Sequence, residues 1–305
     1  MRNCLEKAFG VTLLSLSTFS TTAACRGDES RGAGGTPATG GSGGANTGGV
    51  AGALGGAAGA GAAGGASGSG GQAGSGFGGD SSCIGKVVWA NPLKPSYQWD
   101  ATLVDFLTLA PVTGVTVKVC AIADTACSVP LQTETSDLAG KVTLSGPSSP
   151  EGIAAYLEIT GGGVTPTLEF LRYSDNTTLD GGKVQITLAS TTTQALFVGV
   201  LGVTADPKRG TLTYVAWDCA PLNLAGVSAS LDPADSATVT AYLVGAVPSK
   251  TATETDASGF GGFVNVPPGP VTLKGKSAKT GQSLGSVKLF VREGFNSQTV
   301  LPPTP

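Results

Sequence analysis

The stretch Thr253-Glu-Thr-Asp256-Ala-Ser-Gly259-Phe-Gly-Gly-Phe263-Val-Asn-Val-Pro267-Pro-Gly269-Pro-Val-Thr-Leu273 constrains the fold more than any other. An Asp-x-x-Gly turn leads into a hydrophobic strand, a Pro-Pro-Gly corner ends that strand, and a second strand leaves. The Asp carboxylate accepts hydrogen bonds from backbone N–H groups just ahead of it, and Gly takes the positive φ that closes a hairpin. A fainter copy stands earlier in the chain, as Asp137-Leu-Ala-Gly140-Lys-Val-Thr-Leu144.

Period-two patterning surrounds both copies. Gly114-Val-Thr-Val-Lys-Val-Cys120 places Val115, Val117 and Val119 on one face, as a half-buried strand requires. Lys86–Trp89, Thr133–Thr135, Ala154–Thr160 and Lys183–Leu188 read as further strands of a first block. Gly210–Trp217, Gly226–Leu231, Thr238–Val244 and Ser286–Val291 read as strands of a second. The blocks align in order: Gly85–Trp89 with Gly210–Tyr214, Gly114-Val115 with Gly226-Val227, and Asp137–Leu144 with Asp256–Phe263. Each unit is about 100 residues, an ordinary domain size. Thr191–Val203 leaves open a short helix capped by a threonine and a buried strand, its internal glycines weakening the helix. The closing Pro302-Pro-Thr-Pro305 cannot join a central strand. The expected architecture is all-β, with two tandem Ig-like or transthyretin-like β-sandwich domains at 83–190 and 207–305, joined by a connector at 191–206.

The second block resembles the carboxypeptidase regulatory-like (transthyretin-like) β-sandwich. The residues that carry the resemblance are Gly210, Gly226-Val227, Asp256 to Phe263, and Pro268-Gly269-Pro270-Val271-Thr272-Leu273. Two glycines separate Phe260 from Phe263, and the first block lacks the Pro-Gly corner. Such modules act as structural appendages, adhesive units and binding domains, so the resemblance implies a fold and no particular ligand. The layout of signal, glycine-rich tether and paired sandwiches is similar to surface lipoproteins of myxobacterial type.

The N-terminal part supplies that layout. Residues 1–24 read as an export signal: Arg2 and Lys7 precede an apolar-leaning run from Ala8 to Phe19, and Thr22-Ala23-Ala24 are small. A run of about 12 residues is too short to span a bilayer, which needs roughly 20. Thr22-Ala23-Ala24-Cys25 resembles a lipobox, with Thr22 where Leu is usual, and implies lipidation of Cys25. Cleavage after Ala24 without lipidation is the alternative and leaves a periplasmic or secreted protein. Gly32 to Gly79 holds 23 glycines in 48 residues and no charge. Nothing there buries enough apolar surface to offset the entropy of ordering, so residues 25–82 read as a disordered tether. Its span as a coil is about 40 Å.

Composition removes whole classes of chemistry. The 305 residues contain no histidine, and Met1 is the one methionine. Ser-His-Asp, Cys-His and His-ligated metal sites are excluded together. A net charge of −3 with 13% charged residues carries no nucleic-acid footprint. No cofactor is expected.

The remaining candidates are few. With Cys4 in the signal and Cys25 set aside, Cys83, Cys120, Cys127 and Cys219 read as two disulfides in an exported protein. The short loop between Cys120 and Cys127 favours that pair, leaving Cys83 with Cys219 to bridge the domain entries. No Cys-x-x-Cys spacing supports zinc. Asp175–Asp180 and Asp232–Asp235 lack calcium-loop spacing and read as turns. Tyr97 and Trp99, placed in a loop after Asn91-Pro92, are candidates for stacking on a sugar or peptide. Lys274, Lys276, Lys288 and Arg292 share a parity that places them on a solvent face. Lys86 and Lys208 are the lysines from which a Lys–Asn isopeptide bond would start, but no acid occupies the strand Val271–Leu273.

The expectation is therefore a non-enzymatic, exported, lipid-anchored envelope protein of the outer membrane or cell surface. Its partners would be the membrane, through its lipid, and an envelope protein or glycan. The alternative is a carbohydrate- or peptide-binding module using the loops near Tyr97 and Trp99.

Overall fold

The computed structural model describes residues 77–88, 94–172 and 181–304. The first block holds β1 (Ser96–Asp105), β2 (Thr116–Ala121), β3 (Gln132–Thr135), β4 (Lys141–Ser149), β5 (Gly152–Ile153), β6 (Ala155–Thr160), β7 (Thr167–Phe170) and β8 (Lys183–Leu188). A helix, α1 (Thr191–Val200), follows. The second block holds β9 (Gly210–Ala216), β10 (Val227–Asp232), β11 (Val239–Val244), β12 (Val247–Ser249), β13 (Phe260–Val266), β14 (Gly269–Ser277), β15 (Ser283–Val291) and β16 (Asn296–Leu301). The all-β class expected from the sequence is the class observed.

Three sheets form: β5-β4-β1-β8, β10-β14-β15, and a nine-stranded sheet ordered β12-β11-β13-β9-β16-β7-β6-β2-β3. The sandwiches follow one plan. β1 pairs antiparallel with β4 and parallel with β8, as β9 does with β13 and β16. Trp99 lies opposite Leu144 where Leu212 lies opposite Phe263, and Val119 opposite Leu157 where Leu231 lies opposite Leu273.

The turns match down to single hydrogen bonds. Leu103 N–H donates to Gly140 O at 2.8 Å, and Ala216 N–H to Gly259 O at 2.8 Å. Ser136 Oγ donates to Val112 O at 2.9 Å and accepts from Val115 N–H at 3.1 Å. Thr255 Oγ1 repeats this with Leu224 O at 2.8 Å and Val227 N–H at 3.1 Å. The two Asp-x-x-Gly turns are thus equivalent, as expected.

Two details differ from expectation. The first strand of block one is β1, not Lys86–Trp89. Residues 84–86 form turns, and Trp89 lies outside the described residues. β1 carries its own alternation, with Tyr97, Trp99, Ala101 and Leu103 buried and Ser96, Gln98 and Asp100 exposed. Nor does either turn close a hairpin within one sheet. Asp256–Gly259 delivers the chain into β13, and Pro267-Pro268 carries it on to β14 in the facing sheet. Asp137–Gly140 likewise takes the chain from β3 to β4 in the other layer.

Core packing follows the layers. Between the four-stranded sheet and β2/β6, Trp99, Leu103, Val117, Leu144, Leu157 and Ile159 are fully buried. Burial of each such side chain stabilises by about 1.5–3 kcal/mol. A second core under the three-stranded sheet includes Leu212, Tyr214, Phe263 and Leu273, and it also takes in Tyr156, Leu168 and Phe170 from block one.

α1 resolves the Thr191–Val203 ambiguity as helix. Its cap is Ser190, whose Oγ accepts from Thr193 N–H at 3.0 Å, rather than a threonine. Gly202, at φ +62°, ends it: Gly202 N–H reaches Gly199 O at 2.9 Å and Val203 N–H reaches Val198 O at 3.3 Å.

Candidate functional site

The side chains most tightly organised by the fold lie at the seam between the blocks and at the point where residues 77–86 join the second block. At the seam, β16 runs between β9 and β7, parallel to both. Its residues 296–299 read Asn-Ser-Gln-Thr, and three of them, Asn296, Ser297 and Thr299, are buried polar groups. A buried polar group costs free energy unless it is hydrogen-bonded, and each of the four is. Asn296 Oδ1 accepts from Thr211 Oγ1 at 3.0 Å. Ser297 Oγ donates to Phe290 O at 2.9 Å, Gln298 Nε2 to Thr187 O at 3.1 Å, and Thr299 Oγ1 to Phe170 O at 3.1 Å. One strand therefore touches β9, β15, β8 and β7.

A charged and aromatic cluster reinforces the seam. Glu158 on β6 accepts from Lys118 Nζ at 2.9 Å and from Arg292 Nη2 at 2.6 Å. Burial alone would raise the Glu158 carboxyl, but the hydrogen bonds and charges of Lys118 and Arg292 outweigh it and hold the pKa below the ordinary range. The Arg292 guanidinium also lies 4.4 Å from the Phe295 ring centroid. Tyr156 and Phe170 meet Phe290 edge-on at 5.0 and 5.1 Å. Tyr156 donates to Asp124 O at 2.7 Å, and burial pushes its phenol up to about 12. Arg292 was expected on the solvent face with Lys274, Lys276 and Lys288. The three lysines are exposed there, while Arg292 turns inward to the Glu158 carboxylate.

Sheet edges near the seam are capped by side chains. On β15, Arg172 Nη2 donates to Lys288 O at 3.1 Å and Thr304 Oγ1 accepts from Ser286 N–H at 2.8 Å. On β10, Val227 N–H is held by Thr255 Oγ1 as above, and Ala229 N–H donates to Tyr242 Oη at 3.0 Å. Such caps occupy groups that would otherwise pair with another strand.

The second locus is the entry clamp. Cys83–Cys219 and Cys120–Cys127 are both disulfides, with Cα atoms 5.7 and 5.3 Å apart. Around Cys83, Gly78 N–H donates to Ala225 O at 3.1 Å, Asp80 N–H to Asp218 Oδ2 at 3.0 Å, and Cys219 N–H to Asp80 O at 3.0 Å. Phe77 and Ile84 pack against the second core. The start of the described chain is thus fixed to block two, although block one follows it in sequence.

Glu169 is a third feature. It is buried on β7 and opposes Leu157 on β6. The equivalent pair in block two is Leu273 with Val287, so the repeated plan needs no acid there. Its Oε2 has no hydrogen-bond partner, and burial pushes the carboxyl up to about 8.

The other sequence candidates fall as follows. Tyr97 and Trp99 are not in a loop; both are 1% exposed and face the first core, so neither presents a stacking surface. Asp232 pairs with Lys274 at 2.9 Å, and Asp235 grips Arg209 through both oxygens at 3.0 and 2.7 Å, which lowers the Asp235 pKa to about 2. Asp175 and Asp180 lie outside the described residues, as does Cys25. Among the described residues no group of three His, Cys, Asp or Glu side chains could hold a metal ion. Lys86 and Lys208 are exposed. Below α1 lies a small apolar cleft of about 50 Å³ walled by Phe197, Tyr242, Phe260 and Phe263. Two of its polar groups face each other, Gln194 Nε2 donating to Thr211 Oγ1 at 3.4 Å.

No protein-family model matches the chain, and no curated protein matches it. Among solved structures it is similar to the Bacillus anthracis TIE protein, at 13% identity over 68% of this chain and TM-score 0.23. The chain spans 34% of that protein's length. It is similar to the shaft pilin SpaA of Lactobacillus rhamnosus GG at 13% identity, over 69% of this chain and 98% of the pilin, TM-score 0.22. It is similar to the minor pilin GBS52 of Streptococcus agalactiae at 17% identity, over 68% and 98%, TM-score 0.20. Scores this low leave the fold to be read from the chain itself.

Proposed function

We propose that this protein is an exported, lipid-anchored envelope component with a non-enzymatic structural or binding role, its double sandwich held away from the membrane on a glycine-rich tether. The observation that carries this reading is the pair of disulfides, Cys83–Cys219 above all. Disulfides persist in oxidising compartments outside the cytoplasm, and this one closes where the glycine-rich run meets the fold. The polar and charged side chains at the seam support a structural role, because they are consumed in joining the blocks rather than presented to a substrate. The carboxypeptidase regulatory-like resemblance and the lipobox-like Thr22-Ala23-Ala24-Cys25 point the same way.

The reading is tested in the native host. Radiolabelled palmitate is incorporated into the wild-type protein and not into Cys25→Ser, and the wild-type fractionates with membranes. A protein that fractionates with the cytosol and carries four free thiols would overturn export and anchoring together. Pull-down from the native envelope then identifies the partner, a protein or a glycan.

A further inference from the structure

We propose that the Cys83–Cys219 disulfide is a tension bypass: pull arriving along the glycine-rich segment enters block two at Cys219 without passing along the backbone of block one. The inference rests on the tethered-envelope reading for its biological setting, and on the chain's topology for its physics.

Cys83 and Cys219 are separated by 136 residues. Every strand of block one, together with α1 and β9, lies between them. With the bond closed, those residues form a covalent loop hanging from a single point. A pull between any residue before Cys83 and any residue after Cys219 passes through the sulfur–sulfur bond and never along that loop. With the bond open, the same pull first meets the short 77–86 segment, held by a handful of hydrogen bonds to Asp218, Cys219 and Ala225. Individual hydrogen bonds of this kind are weak holds against peeling. Beyond them the pull reaches β1 at Ser96, a central strand of the first sandwich. One bond therefore decides whether block one is in the path of tension.

The surrounding geometry is built for this arrangement. Asp218 Oδ1 accepts from Ala220 N–H at 2.8 Å and Leu222 N–H at 2.9 Å, so the carboxylate that receives Asp80 N–H also stiffens the turn carrying Cys219. Trp217 N–H donates to Leu301 O at 3.1 Å, so the clamp stands beside the end of β16. The turn carrying Cys219 is thus anchored to block two on both sides.

The experiment is single-molecule force spectroscopy on the full chain with handles at its two termini. In the disulfide-bonded wild-type, Leu144→Ala in the core of block one is expected to leave the rupture force unchanged. In the Cys83→Ser/Cys219→Ser background, Leu144→Ala is expected to lower it. In that background the released length should also grow by the 136-residue separation, about 480 Å at roughly 3.5 Å per residue. A disulfide that only stabilises would let Leu144→Ala lower the force in both backgrounds, and that result overturns the bypass. Should Leu144→Ala fail to fold, Ile186→Val in the same core makes the same comparison more gently. Failure of the envelope reading would appear in fractionation and leave these force data untouched.

Discussion

Opening each disulfide separately gives a quantitative check on how the chain is closed. In the chain-entropy description a crosslink stabilises by restricting the unfolded state, and the effect grows with the logarithm of loop length. For the separation of 136 residues between Cys83 and Cys219 this amounts to about 5 kcal/mol, and for the separation of 7 between Cys120 and Cys127 about 2.4 kcal/mol. The perturbations are the double variants Cys83→Ala/Cys219→Ala and Cys120→Ala/Cys127→Ala. Alanine is chosen because Cys120 and Cys127 are buried, where a serine hydroxyl would need a partner. For a folded region of this size, 1 kcal/mol corresponds to roughly 2–4 °C in Tm. The long-loop variant should therefore fall by about 10–20 °C and the short-loop variant by about half as much. Calorimetry at fixed pH, with urea titrations for the free energies, measures both. Equal losses, or a larger loss from the short loop, would refute the closure argument and point to native-state packing as the dominant effect.

Three further expectations follow from single residues. A Cβ at Gly259 would stand 2.6 Å from Ala216 O, and one at Gly140 2.5 Å from Leu103 O, both at positive φ. Gly259→Val should therefore cost at least the roughly 1–3 kcal/mol of backbone strain, with Ser258→Ala far milder. Urea midpoints that move equally for the two would count against the turn. Glu169 titrates near 8 in the fold and near 4.3 when unfolded. The folded state holds the extra proton between those values, so its contribution is fully present below pH 4.3 and is lost as pH rises through 8. The change is on the order of 5 kcal/mol. Glu169→Gln should remove that slope, and stability curves that stay parallel from pH 4.5 to 8.5 would contradict it. Trp99→Ala should destabilise by about 3–5 kcal/mol as a core truncation and leave any glycan-array signal of the folded fraction intact. A folded variant that loses its glycan signal would restore the stacking site.

Much of the fold was legible in the sequence because hydrophobic alternation and turn chemistry are local. β8 spans the expected Lys183–Leu188, Val115 just before β2 and Val117 and Val119 within it are buried as read, and the Asp-x-x-Gly turns are equivalent. The alternation of Tyr97, Trp99, Ala101 and Leu103 is equally local, and it marks the first strand in place of the expected Lys86–Trp89. The strands that join the blocks were hidden for a different reason. β16 buries Asn296, Ser297 and Thr299, so it shows no apolar period and its stability comes from distant carbonyls. β7 is four residues long and buried on both faces, with a glutamate among them. The inward turn of Arg292 was hidden likewise, because the carboxylate it meets is 134 residues away.

β16 joins two copies of one sandwich plan into a single nine-stranded sheet. Successive amides of a strand point to opposite neighbours, so a strand paired on both sides protects all of them. Native-state hydrogen exchange read residue by residue over Asn296–Leu301 tests this most directly. The expected result is slow exchange at every position from Ser297 to Val300, matched by slow exchange across Thr167–Phe170. Alternating fast and slow amides along both β16 and β7 would mean two separate sandwiches side by side and would contradict the joined sheet.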